Sequence, residues 1–89
     1  MSDEQEYKTQ LGKAIRNKRT ELGATIEKVA GIADIHTRTL QRIEHGETSP
    51  QVTTLVKIAI ALDLSSTAEL LKDADKTVYP LFKKAYEEE

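Results

Sequence analysis

The segment from Thr25 to Gly46, TIEKVAGIADIHTRTLQRIEHG, constrains the fold more than any other part of the chain. It holds two short helical patterns, and only Asp34 and Ile35 separate them. Aspartate accepts left-handed backbone angles better than most residues other than glycine, so a tight turn is predicted there, with Ile35 filling the angle between the helices. Two helices joined by so short a turn form a helix-turn-helix motif.

The apolar residues of this segment indicate which faces are buried. Val29, Ala30 and Ala33 lie on one side of the first helix, and Leu40 and Ile43 lie on one side of the second. The outer face of the second helix carries Thr37, Arg38, Gln41 and Arg42. In a helix-turn-helix the second helix enters the major groove of DNA, and all four side chains can hydrogen-bond to base edges. We therefore expect these four residues to contact bases.

The charge of the chain is unevenly distributed. The 89 residues, enough for one domain, have a net charge of −2, which argues against a general polyanion binder. Residues 8–45 nevertheless hold eight Lys and Arg against four acidic residues, a net charge of +4. We expect a protein with this layout to bind double-stranded DNA through one face, with a strong dependence on salt.

Several classes of protein are excluded by what the sequence lacks. Cysteine is absent, and neither His36 nor His45 has a carboxylate at metal-ligand spacing, so no metal or other cofactor is expected. No set of residues suggests a catalytic site, and an enzyme is not expected. No apolar run approaches the roughly 18 residues of a membrane span, and the N-terminus does not resemble a signal peptide. We expect a soluble cytoplasmic protein that does not contact a membrane.

The rest of the chain is also predicted to be helical, with no strand. The inward stripe of the first helix comprises Leu11, Ile15, Arg19 and Leu22, and Gly23 ends that helix. The core stripe of the fourth helix comprises Val52, Leu55, Ile58, Ala59 and Leu62. A short fifth helix directs Leu70 and Leu71 inward. The pattern is that of an all-α domain.

The C-terminal segment holds three of the four aromatic residues. Pro80 fits the first turn of a new helix, in which Tyr79, Phe82 and Tyr86 share one side. One interpretation is that they cover the apolar edge of the first and fifth helices, against Tyr7; the other is that they form a dimer contact. The first is favoured, because an aromatic tail usually packs on its own domain.

Three segments carry a resemblance to a known family: AIRNKRTELGATIEKVA, IADIHTRTLQRIEHGETSP and TLVKIAIALDLS. Together they resemble the Xre/Cro/C1-type helix-turn-helix regulators, a phage-repressor-like family, over about residues 11–71. The resemblance implies a five-helix repressor-type DNA-binding domain at residues 11–72. An acidic lead-in at residues 1–10 precedes this domain, and a C-terminal extension at residues 73–89, expected to be helical, follows it.

The resemblance also implies roles for single residues. Arg19 and Glu44 match a structural ion pair between the first and third helices, and an inward arginine requires such a partner. Ile26 stands where the family often has a glutamine that binds phosphate, so only backbone amides remain there. Glu47 lies at a loop position that is often basic or neutral, where it faces the DNA backbone unfavourably. The expected phosphate contacts are Arg16, Lys18, Thr25, Ile26, His36 and His45.

A self-association surface is predicted on the fourth helix. Val56 and Ile60 are one turn apart and lie outside the core stripe. The alternative is that they pack against the fifth helix or the tail, but the resemblance favours self-association, because the family usually dimerises through its fourth and fifth helices. Phe82 of the tail is assigned to the same interface. A C2 homodimer would place its two recognition helices about 34 Å apart, facing an inverted repeat on DNA.

These features predict a sequence-specific DNA-binding transcriptional regulator, acting most simply as a repressor that blocks RNA polymerase at an operator. One alternative is the DNA-binding antitoxin of a toxin–antitoxin pair, with residues 75–89 holding the protein partner. A second is a helix-turn-helix domain used only for protein–protein interaction, which the acidic balance and Ile26 permit.

Overall fold

The computed structural model describes residues 2–87, and all regular structure in that range is helical. The helices are α1 (Asp3–Leu22), α2 (Ile26–Ala33), α3 (Thr37–Glu44), α4 (Val52–Ala61), α5 (Ala68–Thr77) and α6 (Tyr79–Glu87). The described part thus has six helices instead of five, because the predicted extension adds α6; its first residues, 73–77, belong to α5. None of the six has the length and apolar character needed to cross a bilayer. Met1, Glu88 and Glu89, the ends of the predicted lead-in and extension, lie outside the described residues.

Helix α1 is longer than the apolar pattern predicts. The side chain of Ser2 caps it by accepting a hydrogen bond from the amide of Gln5 at 3.1 Å, and three acidic residues in the first turn complement the helix dipole. The acidic lead-in is therefore the first part of α1. Gly23 ends the helix with a φ of +73°. The predicted inward stripe is wrong at Leu22, which is 50% exposed because it lies in the last turn beside this exit.

The turn between α2 and α3 is as tight as the sequence predicts. Asp34 adopts the left-handed conformation, with φ 57° and ψ 46°. Its amide donates to the carbonyl of Gly31 at 3.3 Å, and the amide of Ile35 donates to the carbonyl of Ala30 at 3.0 Å. This is the hydrogen-bond pattern of a Schellman motif, which satisfies the last carbonyls of α2. Ile35 is half-buried against the core, so the turn is held by packing as well.

The core lies among the first five helices. α1 packs against α3 and α5, and α2 packs against α3 and α4. The buried cluster comprises Leu11, Ile15, Val29, Ala30, Ala33, Leu40, Ile43, Leu55, Ile58, Ala59, Leu62 and Leu70. Burial of each large aliphatic side chain contributes about 1.5–3 kcal/mol to folding. The predicted stripe of α4 is wrong at Val52, which is 79% exposed because it shares the outer side of α4 with Val56 and Ile60.

Helix α6 packs on α1 and α5 of its own domain. Val78 is buried at the junction, and Pro80, which lacks an amide hydrogen, prevents α5 from continuing. The rings of Tyr7 and Phe82 meet edge to face, with centroids 6.4 Å apart and an angle of 65° between their planes. The hydroxyl of Tyr7 donates to Oδ1 of Asp75 at 2.6 Å. Phe82 therefore covers the edge of α1, as the first interpretation of the tail expects.

The other aromatic residues of α6 are mostly exposed. Tyr79 is 59% exposed and Tyr86 is 73% exposed. With Phe82, Lys83 and Glu87 they line an open groove of about 570 Å³ on the outer side of α6. Of the three aromatic rings in the tail, one is half-buried and the other two are presented to solvent.

Candidate nucleic-acid interface

Helix α3 presents a polar face to solvent. Leu40 and Ile43 are 0% and 2% exposed, and Glu44 is also buried. The residues on the opposite face, all exposed, are Thr37, Arg38, Gln41 and Arg42. The helical period of 3.6 residues produces this separation. The structure therefore places all four predicted base-contacting residues together on one accessible surface.

A bidentate ion pair fixes the last turn of α3 against α1. Nε of Arg19 donates to Oε2 of Glu44 at 2.8 Å, and Nη2 donates to Oε1 at 3.0 Å. Nη1 donates to the carbonyl of Ala24 at 3.1 Å. The hydrogen bonds to Glu44 raise the pKa of Arg19 above its ordinary value, against the opposing effect of burial. The carboxylate is only 4% exposed, so this pair sets the position of α3 from the inside.

The N-terminal half of α1 holds the end of α3 through contacts that sequence reasoning missed. A Cβ on Gly12 would lie 2.5 Å from the carbonyl oxygen of Ile43 and 2.6 Å from that of Glu44. Nε2 of Gln5 donates to the carbonyl of Gly46 at 2.9 Å. The two backbones thus approach more closely than any side chain at position 12 permits. A glycine within a helical pattern was the available signal, since it often marks a packing requirement.

A carboxylate lies beside the predicted base contacts. Gly46 has a φ of +74°, and the chain turns so that the amide of Glu47 donates to the carbonyl of Arg42 at 2.9 Å. Oε1 of Glu47 is 3.8 Å from Nε of Arg42, and Oε2 is 3.8 Å from Nδ1 of His45. All three side chains are at least half exposed, so these pairs add little to stability. They do place a negative charge at the end of the recognition surface, the exposed face of α3 formed by Thr37, Arg38, Gln41 and Arg42.

Three of the predicted phosphate contacts lie at helix starts. Oγ1 of Thr25 accepts the amide of Lys28 at 3.1 Å and thereby caps α2. Ile26 is half-buried against the core, so only its backbone can contact a phosphate. The first amides of a helix have no hydrogen-bond partner within the helix and can donate to an anion. His36 occupies the cap position of α3, is exposed, and makes no side-chain hydrogen bond to the helix.

The two predicted phosphate contacts on α1 lie on different sides of the helix. Arg16 is exposed and one turn from Gly12, which touches α3. Residues two positions apart on a helix do not face each other. Lys18 accordingly pairs with Glu21, at 3.9 Å, and lines a groove with Leu62 and Asp63 of the α4–α5 connection. Arg16 therefore lies near the side of α1 that touches α3, and Lys18 lies on the side that faces the α4–α5 connection.

The predicted dimer residues are also separated. Val56 and Ile60 are 42% and 65% exposed on the outer side of α4, where Val52 joins them. Phe82 is half-buried against Tyr7, on a helix that packs on α1 and α5. Of the three predicted dimer residues, Val56 and Ile60 thus share a surface, the apolar stripe on α4, and Phe82 lies elsewhere.

Comparison with known proteins agrees with this geometry. The helix-turn-helix family model HTH_3 matches residues 15–70. The restriction-modification controller protein C.AhdI from Aeromonas hydrophila is 25% identical, with a TM-score of 0.68 over 71% of this chain and 94% of that chain. The clp gene regulator ClgR from C. glutamicum is 25% identical, with a TM-score of 0.72 over 80% of this chain and 91% of that chain.

A larger protein has the same fold in one part. An HTH_3 family transcriptional regulator from Vibrio cholerae is 28% identical, with a TM-score of 0.71 over 79% of this chain and 39% of that chain. None of the curated proteins matches the chain. The family match covers most of the chain and includes both helices of the motif, and the similar structures are regulators. This chain therefore belongs to the HTH_3 helix-turn-helix family, the Xre/Cro/C1 type, as a DNA-binding transcriptional regulator and not an enzyme.

Proposed function

We propose that this regulator binds DNA sequence-specifically, with α3 in the major groove, and represses transcription from an operator. The observation that carries the proposal is the exposed face of α3, where Thr37, Arg38, Gln41 and Arg42 lie opposite a fully buried side. Arg38 and Arg42 are one turn apart. Each guanidinium can donate two hydrogen bonds to a guanine, and a good pair of this kind discriminates against other bases by about 1–3 kcal/mol.

The surroundings of α3 supply groups for the phosphates. Thr25 and the first amides of α2 form an exposed helix start, and Arg16 is exposed on α1 one turn from Gly12, which contacts the end of α3. Phosphate contacts of this kind position a protein on DNA and do not read sequence. Such contacts also release counterions, so we expect the affinity to fall steeply as the salt concentration rises.

We also propose that the protein binds as a C2 homodimer through the outer side of α4. Val52, Val56 and Ile60 follow one another at intervals of four residues, and all three are exposed. A self-complementary apolar stripe is suited to an isologous interface. A dimer of this kind presents two copies of α3 to successive major grooves, about 34 Å apart, and reads an inverted repeat.

A charged side chain within the stripe tests the dimer. Ile60→Asp places a carboxylate in the proposed interface, so we expect monomers in sedimentation equilibrium and a large loss of operator affinity. Leu81→Asp is the control, because Leu81 is 48% exposed on α6 and lies outside the stripe. If both variants keep the oligomeric state of the wild type, α4 does not form the interface.

Selection of bound fragments from random duplex DNA at moderate salt tests sequence recognition. We expect a consensus with two-fold symmetry whose half-sites are one helical turn apart. Placed over a promoter, that consensus should lower reporter transcription when the protein is present. Recovery of unrelated sequences after several rounds would contradict sequence-specific binding.

A further inference from the structure

Glu47 stands out on the recognition surface because it is an acid at the end of a helix proposed to meet DNA. The left-handed Gly46 and the hydrogen bond from the Glu47 amide to the Arg42 carbonyl turn the chain back over the end of α3. This turn places the carboxylate 3.8 Å from Nε of Arg42 and 3.8 Å from Nδ1 of His45. A carboxylate here repels the phosphates of DNA, so its position indicates a role other than phosphate binding.

The geometry of the Arg42 guanidinium indicates what that role is. A guanidinium has five N–H donors in a fixed planar fork, and a carboxylate beside Nε faces the edge formed by Nε–H and one N–H of Nη2. The end edge, formed by one N–H of Nη1 and one N–H of Nη2, then points away from Glu47. Those donors are the ones that can reach O6 and N7 of a guanine together. Without a neighbour, an arginine that is half exposed samples many side-chain conformations.

We propose that Glu47 is a positioning residue that sets the sequence selectivity of α3. The inference rests on the proposed function. Glu47 orients the fork of Arg42 towards the base edges, and its charge weakens attraction to the phosphates that every sequence shares. Binding to unrelated DNA is almost entirely electrostatic, so this repulsion lowers it directly. Specific binding keeps the base contact that the oriented Arg42 makes.

The test compares Glu47→Ala, Arg42→Ala and the double variant with the wild type. Affinities are measured for the selected consensus, for single-base variants of it, and for unrelated DNA. We expect Glu47→Ala to bind unrelated DNA about two- to five-fold more tightly, and its preference at one base pair to fall by a similar factor. That base pair should be the one at which Arg42→Ala loses preference. In the Arg42→Ala background, removal of Glu47 should cause no further loss of preference.

Glu21→Ala is the matched control. It removes the same charge from an exposed ion pair of similar length, 3.9 Å to Lys18, on the side of α1 that faces the α4–α5 connection. We expect it to leave base preference unchanged. If Glu47→Ala and Glu21→Ala are indistinguishable, or if preference falls equally at every position, Glu47 does not position Arg42. A wild-type protein that selects no consensus would instead contradict the proposed function.

Discussion

Arg19 and Glu44 are 25 residues apart in the chain, yet their side chains form two parallel hydrogen bonds of 2.8 and 3.0 Å. Glu44 belongs to the inner face of α3, and the proposed DNA contacts belong to the outer face of the same helix. The orientation of the outer face is therefore determined from inside the domain. A change in the inner contacts should alter both stability and DNA binding.

Removal of one partner of this pair should destabilise the fold. Glu44→Ala leaves the guanidinium of Arg19 buried without its carboxylate, and we expect the free energy of unfolding to fall by about 3 kcal/mol. Urea denaturation measures this loss. The double variant Arg19→Met with Glu44→Leu should recover much of it, because an apolar pair leaves no buried charge. If the single and double variants are equally unstable, the pair is not the cause.

Alanine substitutions at Gly12 and Gly31 should change the stability of the protein in opposite directions. Gly12→Ala forces a methyl group within 2.6 Å of two backbone carbonyls, and overpacking of this kind costs about 1–3 kcal/mol. Gly31→Ala meets no atom within 4 Å and lies within α2, so it should stabilise the protein by about 0.5–1 kcal/mol. Thermal unfolding of both variants checks the prediction. A stable Gly12→Ala variant would contradict the close approach of α1 to α3.

The sequence predicts the helix-turn-helix well, because local signals agree there. Asp34 tolerates the left-handed turn, the apolar spacing defines the buried faces of α2 and α3, and Gly46 marks the exit of α3. The buried and exposed faces of α3 follow from the helical period alone. These signals need no knowledge of distant contacts.

The parts that sequence reasoning missed depend on contacts between residues far apart in the chain. Nε2 of Gln5 meets the carbonyl of Gly46, and the hydroxyl of Tyr7 meets Asp75. No spacing rule pairs such residues, so the role of the lead-in beside α3 could not be foreseen. Its helical structure had a local signal that was overlooked, the Ser2 cap and the acidic first turn. Val52 was misplaced because the apolar pattern does not show which side of the first turn of α4 is covered.

Asp34 and Asp73 provide a second matched test. Asp34→Ala puts a residue that disfavours the left-handed region at a φ of 57°, so we expect a loss of about 1 kcal/mol. Asp34→Gly should recover it. Asp73→Ala lies within α5, where alanine has the higher helix propensity, and should gain about 0.5 kcal/mol. Chemical denaturation distinguishes these results; a loss of the same size in both alanine variants would contradict the role of the turn.

Tyr7 should make stability depend on pH in the alkaline range. Burial, followed by the hydrogen bond to Asp75 and the charge of Asp75, raises the pKa of Tyr7 from 10.0 to about 12. The folded state therefore holds the phenolic proton more tightly than the unfolded state. The resulting stabilisation is complete below pH 10 and is lost as the pH rises towards 12.

Tyr7→Phe isolates this effect, because it keeps the ring beside Phe82 and removes the hydroxyl group. We expect it to cost about 1 kcal/mol at neutral pH. The difference from the wild type should shrink as the pH rises above 10. Urea unfolding at a series of pH values provides the measurement. A difference that stays constant across the series would show that the hydroxyl does not titrate in this way.

If the outer face of α3 reads base edges, the loss of affinity in Arg38→Ala should depend on the DNA sequence. Binding of the wild type, Arg38→Ala and the control Lys72→Ala, an exposed position on α5, is measured on the selected consensus and on unrelated DNA over a range of salt concentrations. We predict that Arg38→Ala weakens binding to the consensus by about 10- to 100-fold and binding to unrelated DNA far less, while Lys72→Ala changes neither. Equal losses on the two DNAs, or a response no larger than that of Lys72→Ala, would contradict base reading by α3.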